Sequence, residues 1–145
     1  MHAELLVAHG VRWVPGDPLP GAAHAEALRA AALCNDATLQ AKVEEGPSGT
    51  QWLGDPTETA LVLAAHAGGL DKAQLDAASP RVQEQPFDSD RKRMTTVVEW
   101  DGHAAVLCKG APERIFDRCK FVIDEQGNKV AMDADHRKKF DGLNE

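Results

Sequence analysis

Two short clusters hold the side chains with the most chemical potential. Phe87-Asp88-Ser89-Asp90-Arg91-Lys92-Arg93 sets an aromatic ring beside three consecutive cations, and Lys109-Gly110 sets a fourth cation beside a residue with no side chain. Together they suit an anion that carries a planar ring. The cations oppose its charge, the aromatic offers a stacking surface, and glycine lets a ligand approach the backbone closely. Ala111-Pro112-Glu113 then reads as a helix start, whose free N–H groups also favour an anion. A plainer assignment of the same residues stands beside this one: Phe87 in the core, Arg91 to Arg93 as a solvated turn, and Gly110-Ala111-Pro112 as an ordinary strand-to-helix connection.

Other chemistries are poorly supplied. Gly49 to Gly54 has the first spacing of a phosphate-binding loop, but Asp55 stands where lysine is required. GxGxxG and GxSxG are absent, and Ser48, Ser79 and Ser89 give a serine triad little support. Carboxylates are plentiful but unplaced, so acid–base catalysis is neither argued nor excluded by the sequence. The six histidines include no HExxH pair, and Cys34, Cys108 and Cys119 lack CxxC spacing, so no metal site or disulfide framework is expected. A reducing, cytoplasmic setting fits the cysteines.

The two clusters need elements that bring them together. Met94 to Trp100 and His103 to Lys109 flank Asp101-Gly102, a pair that favours a type I′ two-residue hairpin turn. This register sets Trp100 against His103, Val98 against Ala105, Thr96 against Leu107 and Met94 against Lys109. Arg91 to Arg93 and Gly110 therefore meet at the open end of the ribbon. A short helix is expected from Ala111 to about Arg118, with Ile115, Phe116 and Cys119 facing inward. A second hairpin is expected over Phe121 to Asp124 and Lys129 to Ala131, then a helix from near Asp133 or Asp135.

Upstream, a strand is expected near Val11 to Val14, and Ala22 to about Cys34 reads as a helix with Ala27, Leu28, Ala31 and Ala32 on one stripe. Residues 44 to 54 read as an exposed loop anchored by Trp52 and Leu53. Asp55-Pro56-Thr57-Glu58 announces a helix: aspartate at the N-cap, proline at the first helical position and glutamate at the third, a capping-box arrangement. That helix is expected to run to about Ala67 and stop at Gly68-Gly69, with a further short helix over 71 to 78 ended by Ser79-Pro80.

The chain has 145 residues with 16 Lys+Arg against 23 Asp+Glu, a net charge of −7. Its 43% hydrophobic and 27% charged content is that of one globular domain. No apolar run approaches the roughly 18–20 residues of a membrane span, and the first residues do not form a signal peptide. The acidic balance argues against gripping a nucleic-acid backbone, while leaving room for a local anion pocket.

Gly54-Asp55-Pro56-Thr57-Glu58-Thr59-Ala60-Leu61, then Pro86 to Met94, then Lys109-Gly110-Ala111-Pro112-Glu113 resemble, in that order and spacing, the nucleotide-binding domain of P-type cation-transporting ATPases. The likeness is greatest to the type II, calcium-pump-like branch. Leu33-Cys34-Asn35 adds a weaker fourth point, so the resemblance covers most of the chain. It implies an α+β fold, a twisted antiparallel sheet flanked by helices. It implies ATP as ligand, Mg-ATP in the full-length pump, with Phe87 stacking on adenine, Glu58 on the adenine side, and Lys109 with Gly110 in the pocket. Lys92 matches a second pocket lysine, and Arg91 a basic neighbour oriented toward the phosphates.

The departures are equally informative. The family is phosphorylated on the aspartate of a DKTGT segment in a separate domain; here Asp71-Lys72-Ala73 only begins like it. No catalytic residue is therefore expected in this chain, which is expected to bind ATP without hydrolysing it. The resemblance implies a single domain over 1–145 from a larger pump, trimmed at its C-terminus before a GLRVL-like segment. It would be a monomeric cytoplasmic portion of an integral membrane protein, partnered by the phosphorylation and actuator domains, without direct membrane or nucleic-acid contact. The alternative is a non-catalytic α+β interaction module that docks an acidic partner on Arg91 to Arg93.

Overall fold

The computed structural model describes residues 6–8, 11–14, 17–41, 50–124, 126 and 128–143. Strands β1 (Leu6–Ala8) and β2 (Val11–Trp13) pair antiparallel and precede helix α1 (Ala22–Leu33). Next come β3 (Thr38–Ala41) and β4 (Thr50–Leu53), then helices α2 (Pro56–Ala67) and α3 (Lys72–Ala78). A three-stranded antiparallel sheet follows in the order β5 (Arg81–Asp88), β6 (Arg93–Trp100), β7 (His103–Gly110). Helix α4 (Pro112–Phe116), the ribbon of β8 (Phe121–Ile123) with β9 (Lys129–Ala131), and α5 (Ala134–Leu143) complete the order. The class is α+β, with the strands of the described residues divided into one three-stranded sheet and three two-stranded ribbons.

The β6–β7 hairpin has the register its sequence specifies, from Trp100 opposite His103 to Met94 opposite Lys109. Asp101 and Gly102 take φ values of 50° and 82°, the positive pair that a type I′ turn demands. On β6 the side chains alternate, and Met94, Thr96 and Val98 are buried. That face packs toward the end of α1, where the buried Cys34 thiol lies 3.8 Å from the carbonyl oxygens of both Met94 and Leu107. Burial pushes this thiol's pKa up, which keeps it protonated and able to donate.

A second apolar cluster joins the helices. Leu28 and Ala32 of α1 meet Ala64 and Ala65 of α2, with Leu19, Leu70 and Leu75 around them. The alanines allow α1 and α2 to approach closely, and the end of α1 is then fixed by two cations. Buried Lys72 donates to the Ala32 carbonyl at 3.0 Å and pairs with Asp76, while Arg81 donates to the carbonyls of Leu33 and Asn35 at 3.2 and 3.0 Å. Positive charge at these carbonyls complements the negative end of the helix dipole. Arg29 on α1 stacks its guanidinium 3.7 Å from the Trp100 ring centroid, tying the hairpin to the same helix.

One sequence expectation needs correction, and one strand goes beyond what the sequence announces. Residues 50–53 are not loop: they form β4, which pairs with β3 so that Leu39 faces Trp52. The rest of the expected loop, 44–49, lies outside the described residues. A four-residue strand has no signal of its own; its hydrogen-bond partner is a dozen positions away, and only that pairing stabilises it. Second, 81 to 88 carry no strand pattern, yet β5 is the edge strand that brings Phe87 beside the hairpin. Its side chains are almost all exposed, so the alternation that marks a half-buried strand is missing. Among the described residues, no helix is long and apolar enough to cross a membrane.

Candidate functional site

The N-terminal turn of α2 is the first wall of the site. Asp55 caps it, its Oδ1 accepting from the Thr57 amide at 2.8 Å, and Pro56 occupies the first turn. Glu58 does not close the capping box that its position suggests. Its Oε1 instead accepts from Lys109 Nζ at 2.5 Å and from the Asp36 amide at 3.2 Å. An ammonium group is a stronger partner for a carboxylate than a neutral backbone amide, and the two side chains are only 15% and 21% exposed. The other oxygen, Oε2, takes no hydrogen bond among the described residues.

The opposite wall is the open end of the sheet. Between β5 and β6, Asp88 Oδ1 accepts from the amides of Asp90 and Arg91, each at 2.9 Å, and the Lys92 amide donates to the Asp88 carbonyl at 2.6 Å. Lys92 has a φ of 52° and accepts from the Ala111 amide at 3.0 Å, which fastens the turn to the end of β7. Gly110 is required there. A Cβ on it would meet the Lys92 carbonyl and lie 2.6 and 2.7 Å from Arg93 Cβ and Cα.

These walls enclose a cleft of about 1100 Å³. Glu58, Phe87, Lys92, Lys109 and Gly110 all line it, so five of the six residues singled out in the sequence meet at one place. Phe87 is 63% exposed, which excludes the plain assignment of its ring to the core. Arg91 is the exception. Its guanidinium donates to Thr95 Oγ1 at 2.9 Å, and Thr95 follows Met94 on β6, so its side chain is on the face opposite Met94 and Lys109. Arg93 in turn donates to the Arg91 carbonyl. The three basic residues therefore do not present one continuous cationic surface.

The floor of the cleft carries no motif in the sequence. Ala27, Ala30 and Ala31 on α1, with Leu61, Met94 and Leu107, make it apolar. Ala27 and Ala31 share a stripe with the core residues Leu28 and Ala32, but they sit at its edge and leave open volume in place of side chains. Ile115 and Phe116 of α4 are half-buried and close the far side, as their inward assignment anticipates. Because α4 spans five residues, the cations and the loop geometry outweigh any helix dipole at this point.

The Asp88 turn predicts a pH signature. Hydrogen bonds from the Arg91 and Asp90 amides stabilise the ionised carboxylate and hold its pKa below the ordinary aspartate value. A depressed folded-state pKa contributes stability above the unfolded value, which is lost as pH falls through the folded one. The amide resonances of Asp90 and Arg91 should therefore titrate together with a midpoint below the usual ~3.9. A midpoint at or above that value contradicts the turn geometry.

The fold and the cleft thus define an α+β domain whose cleft is apolar on its floor, cationic on its rim and aromatic at its mouth. Residues 23–145 match the family described as P-type ATPase, cytoplasmic domain N, and the chain belongs to that family. It is 37% identical over 118 residues to calcium-transporting ATPase 1 of Lactococcus lactis, covering 81% of this chain and 12% of that protein. It is 34% identical over 110 residues to cation-transporting ATPase pma1 of Synechocystis, covering 74% of this chain and 11% of that protein. The probable cation-transporting ATPase F of Mycobacterium tuberculosis is 37% identical over 121 residues, 80% of this chain and 13% of that protein. The chain therefore spans about an eighth of the length of these relatives.

Proposed function

We propose that this domain binds ATP in the cleft and, within a P-type cation-transporting pump, presents the γ-phosphate to an aspartate of a separate phosphorylation domain. The observation that carries this reading is the convergence of Glu58, Phe87, Lys92, Lys109 and Gly110 on one cleft with an apolar floor. Its volume, about 1100 Å³, lies just above the roughly 300–1,000 Å³ that small-ligand sites enclose. In this reading adenine stacks on Phe87 over the alanine floor, and Glu58 Oε2 accepts a hydrogen bond from the base. Lys109, held by Glu58, borders the base where Gly110 permits close approach. Lys92 extends from the rim toward the phosphates, and Mg²⁺ travels with them. Arg91, held by Thr95 on the other face, supports the turn rather than the ligand.

Phosphoryl transfer depends on positioning the acceptor and the metal around the γ-phosphate. The acceptor aspartate and the residues that hold Mg²⁺ beside it belong to the phosphorylation domain, with the actuator domain as the further partner inside the pump. The domain alone, a monomer, binds without turnover, and the enzyme is the whole pump at a cell membrane with this domain on its cytoplasmic side. Calorimetric titration of ATP into the 145-residue chain, paired with a phosphate-release assay, tests this. Saturable binding without release is the expected result; release at a steady rate, or no heat of binding, contradicts it. The docking-module alternative has no observation in its favour, since Arg91 and Arg93 are turned to internal partners.

A further inference from the structure

Asn35 is 1% exposed, and both ends of its side-chain amide are engaged. Nδ2 donates to the Glu58 carbonyl at 2.9 Å, and Oδ1 accepts from the Ala37 amide at 2.9 Å. One partner can only accept and the other can only donate, which fixes the orientation of the amide and rules out a carboxylate as its equivalent. Between these two bonds, the Asp36 amide donates to Glu58 Oε1 at 3.2 Å. Glu58 is thus held by its main chain and by its side chain from one three-residue turn.

That turn is itself anchored. Arg81 donates to the Asn35 carbonyl at 3.0 Å and to Asp36 Oδ1 at 2.7 Å, from the start of β5. The preceding Cys34 thiol reaches the Met94 and Leu107 carbonyls of the β6–β7 pair, the same pair that carries Lys109. Asn35 does not line the cleft. We propose that Asn35 is a positioning residue for the cleft carboxylate: it sets the start of α2 so that Glu58 Oε1 is taken up by Lys109 and Asp36 while Oε2 is presented to the ligand. The consequence for ATP rests on the reading of the cleft given above; the placement of Glu58 does not.

The test is a double-mutant cycle on ATP affinity, with Asn35→Asp and Glu58→Gln singly and together. Asn35→Asp keeps the shape and the acceptor for the Ala37 amide but turns the donor to Glu58 into an acceptor facing its carbonyl, so the urea midpoint is read first, and Asn35→Ala, which buries no charge, takes its place in the cycle where Asn35→Asp does not fold. Either variant should weaken ATP binding by at least about 3- to 10-fold, the range of one lost hydrogen bond. In the Glu58→Gln background it should weaken binding much less, because the two residues act through one group. An equal loss in both backgrounds, or no loss in either, overturns the proposal. If the unmodified chain does not bind ATP, the nucleotide reading falls and the carboxyl ¹³C shift of Glu58 still decides the placement. A shift displaced in both Asn35→Ala and Asn35→Asp supports the clamp, and an unchanged shift in either overturns it.

Discussion

Replacing Phe87 with alanine should weaken ATP binding by about 5- to 150-fold, the equivalent of the roughly 1–3 kcal/mol that one stacked base contributes on aromatic platforms. Stability should hardly change, because the ring is 63% exposed and removing it opens no cavity. The two readouts must separate. Affinity measured by calorimetry falls while the urea midpoint stays put, and this separates a ligand-facing aromatic from a core one. Loss of both together would return Phe87 to the core; loss of neither would remove it from the site.

Gly110→Ala should act in the opposite manner, through the backbone. The added methyl would lie 2.6 and 2.7 Å from Arg93 Cβ and Cα and would meet the Lys92 carbonyl. Those neighbours cannot step aside cheaply. Arg93 pairs with Gly110 across the sheet, and Lys92 is held at a φ of 52° by its bonds to Asp88 and Ala111. Overpacking of this kind costs roughly 1–3 kcal/mol and sometimes more, a substantial part of the ~5–15 kcal/mol that stabilises an ordinary domain. The urea midpoint should drop clearly, and whatever folded protein remains should bind ATP more weakly, because Lys92 and Lys109 no longer share one rim. An unchanged midpoint would show that the open end of the hairpin is looser than the hydrogen bonds indicate.

The parts of this site that were legible in the sequence are those specified locally. Asp101-Gly102 sets the hairpin turn, and the two-residue period then fixes which side chains face each other down to Lys109. Asp55-Pro56 starts α2 for reasons contained in four residues. What escaped the sequence is what depends on distant partners. β4 exists because β3 lies beside it, and the exposed edge strand β5 has no alternating pattern to announce it. Glu58 had a sufficient local role as the third helical residue. Its actual partner, Lys109, is 51 positions on and arrives only when the open end of the hairpin reaches the start of α2. Arg91 illustrates the converse: its type fits an anion site, but the turn leaves it on the Thr95 face. The alanine floor has no signal of its own, because a helical stripe does not say where the core ends and a cleft begins.

If the proposed function holds, the basic turn, Lys109-Gly110 and the start of α2 respond to ATP as one site. The most direct measurement is a titration of the ¹⁵N-labelled chain with ATP up to millimolar concentration, followed by amide chemical shifts. Saturable shifts concentrated at Glu58, Phe87, Lys92, Lys109 and Gly110, with the β8–β9 ribbon unmoved, are the expected result. Resonances around Phe87 and Lys109 that stay in place, or shifts spread evenly over the domain, would contradict it.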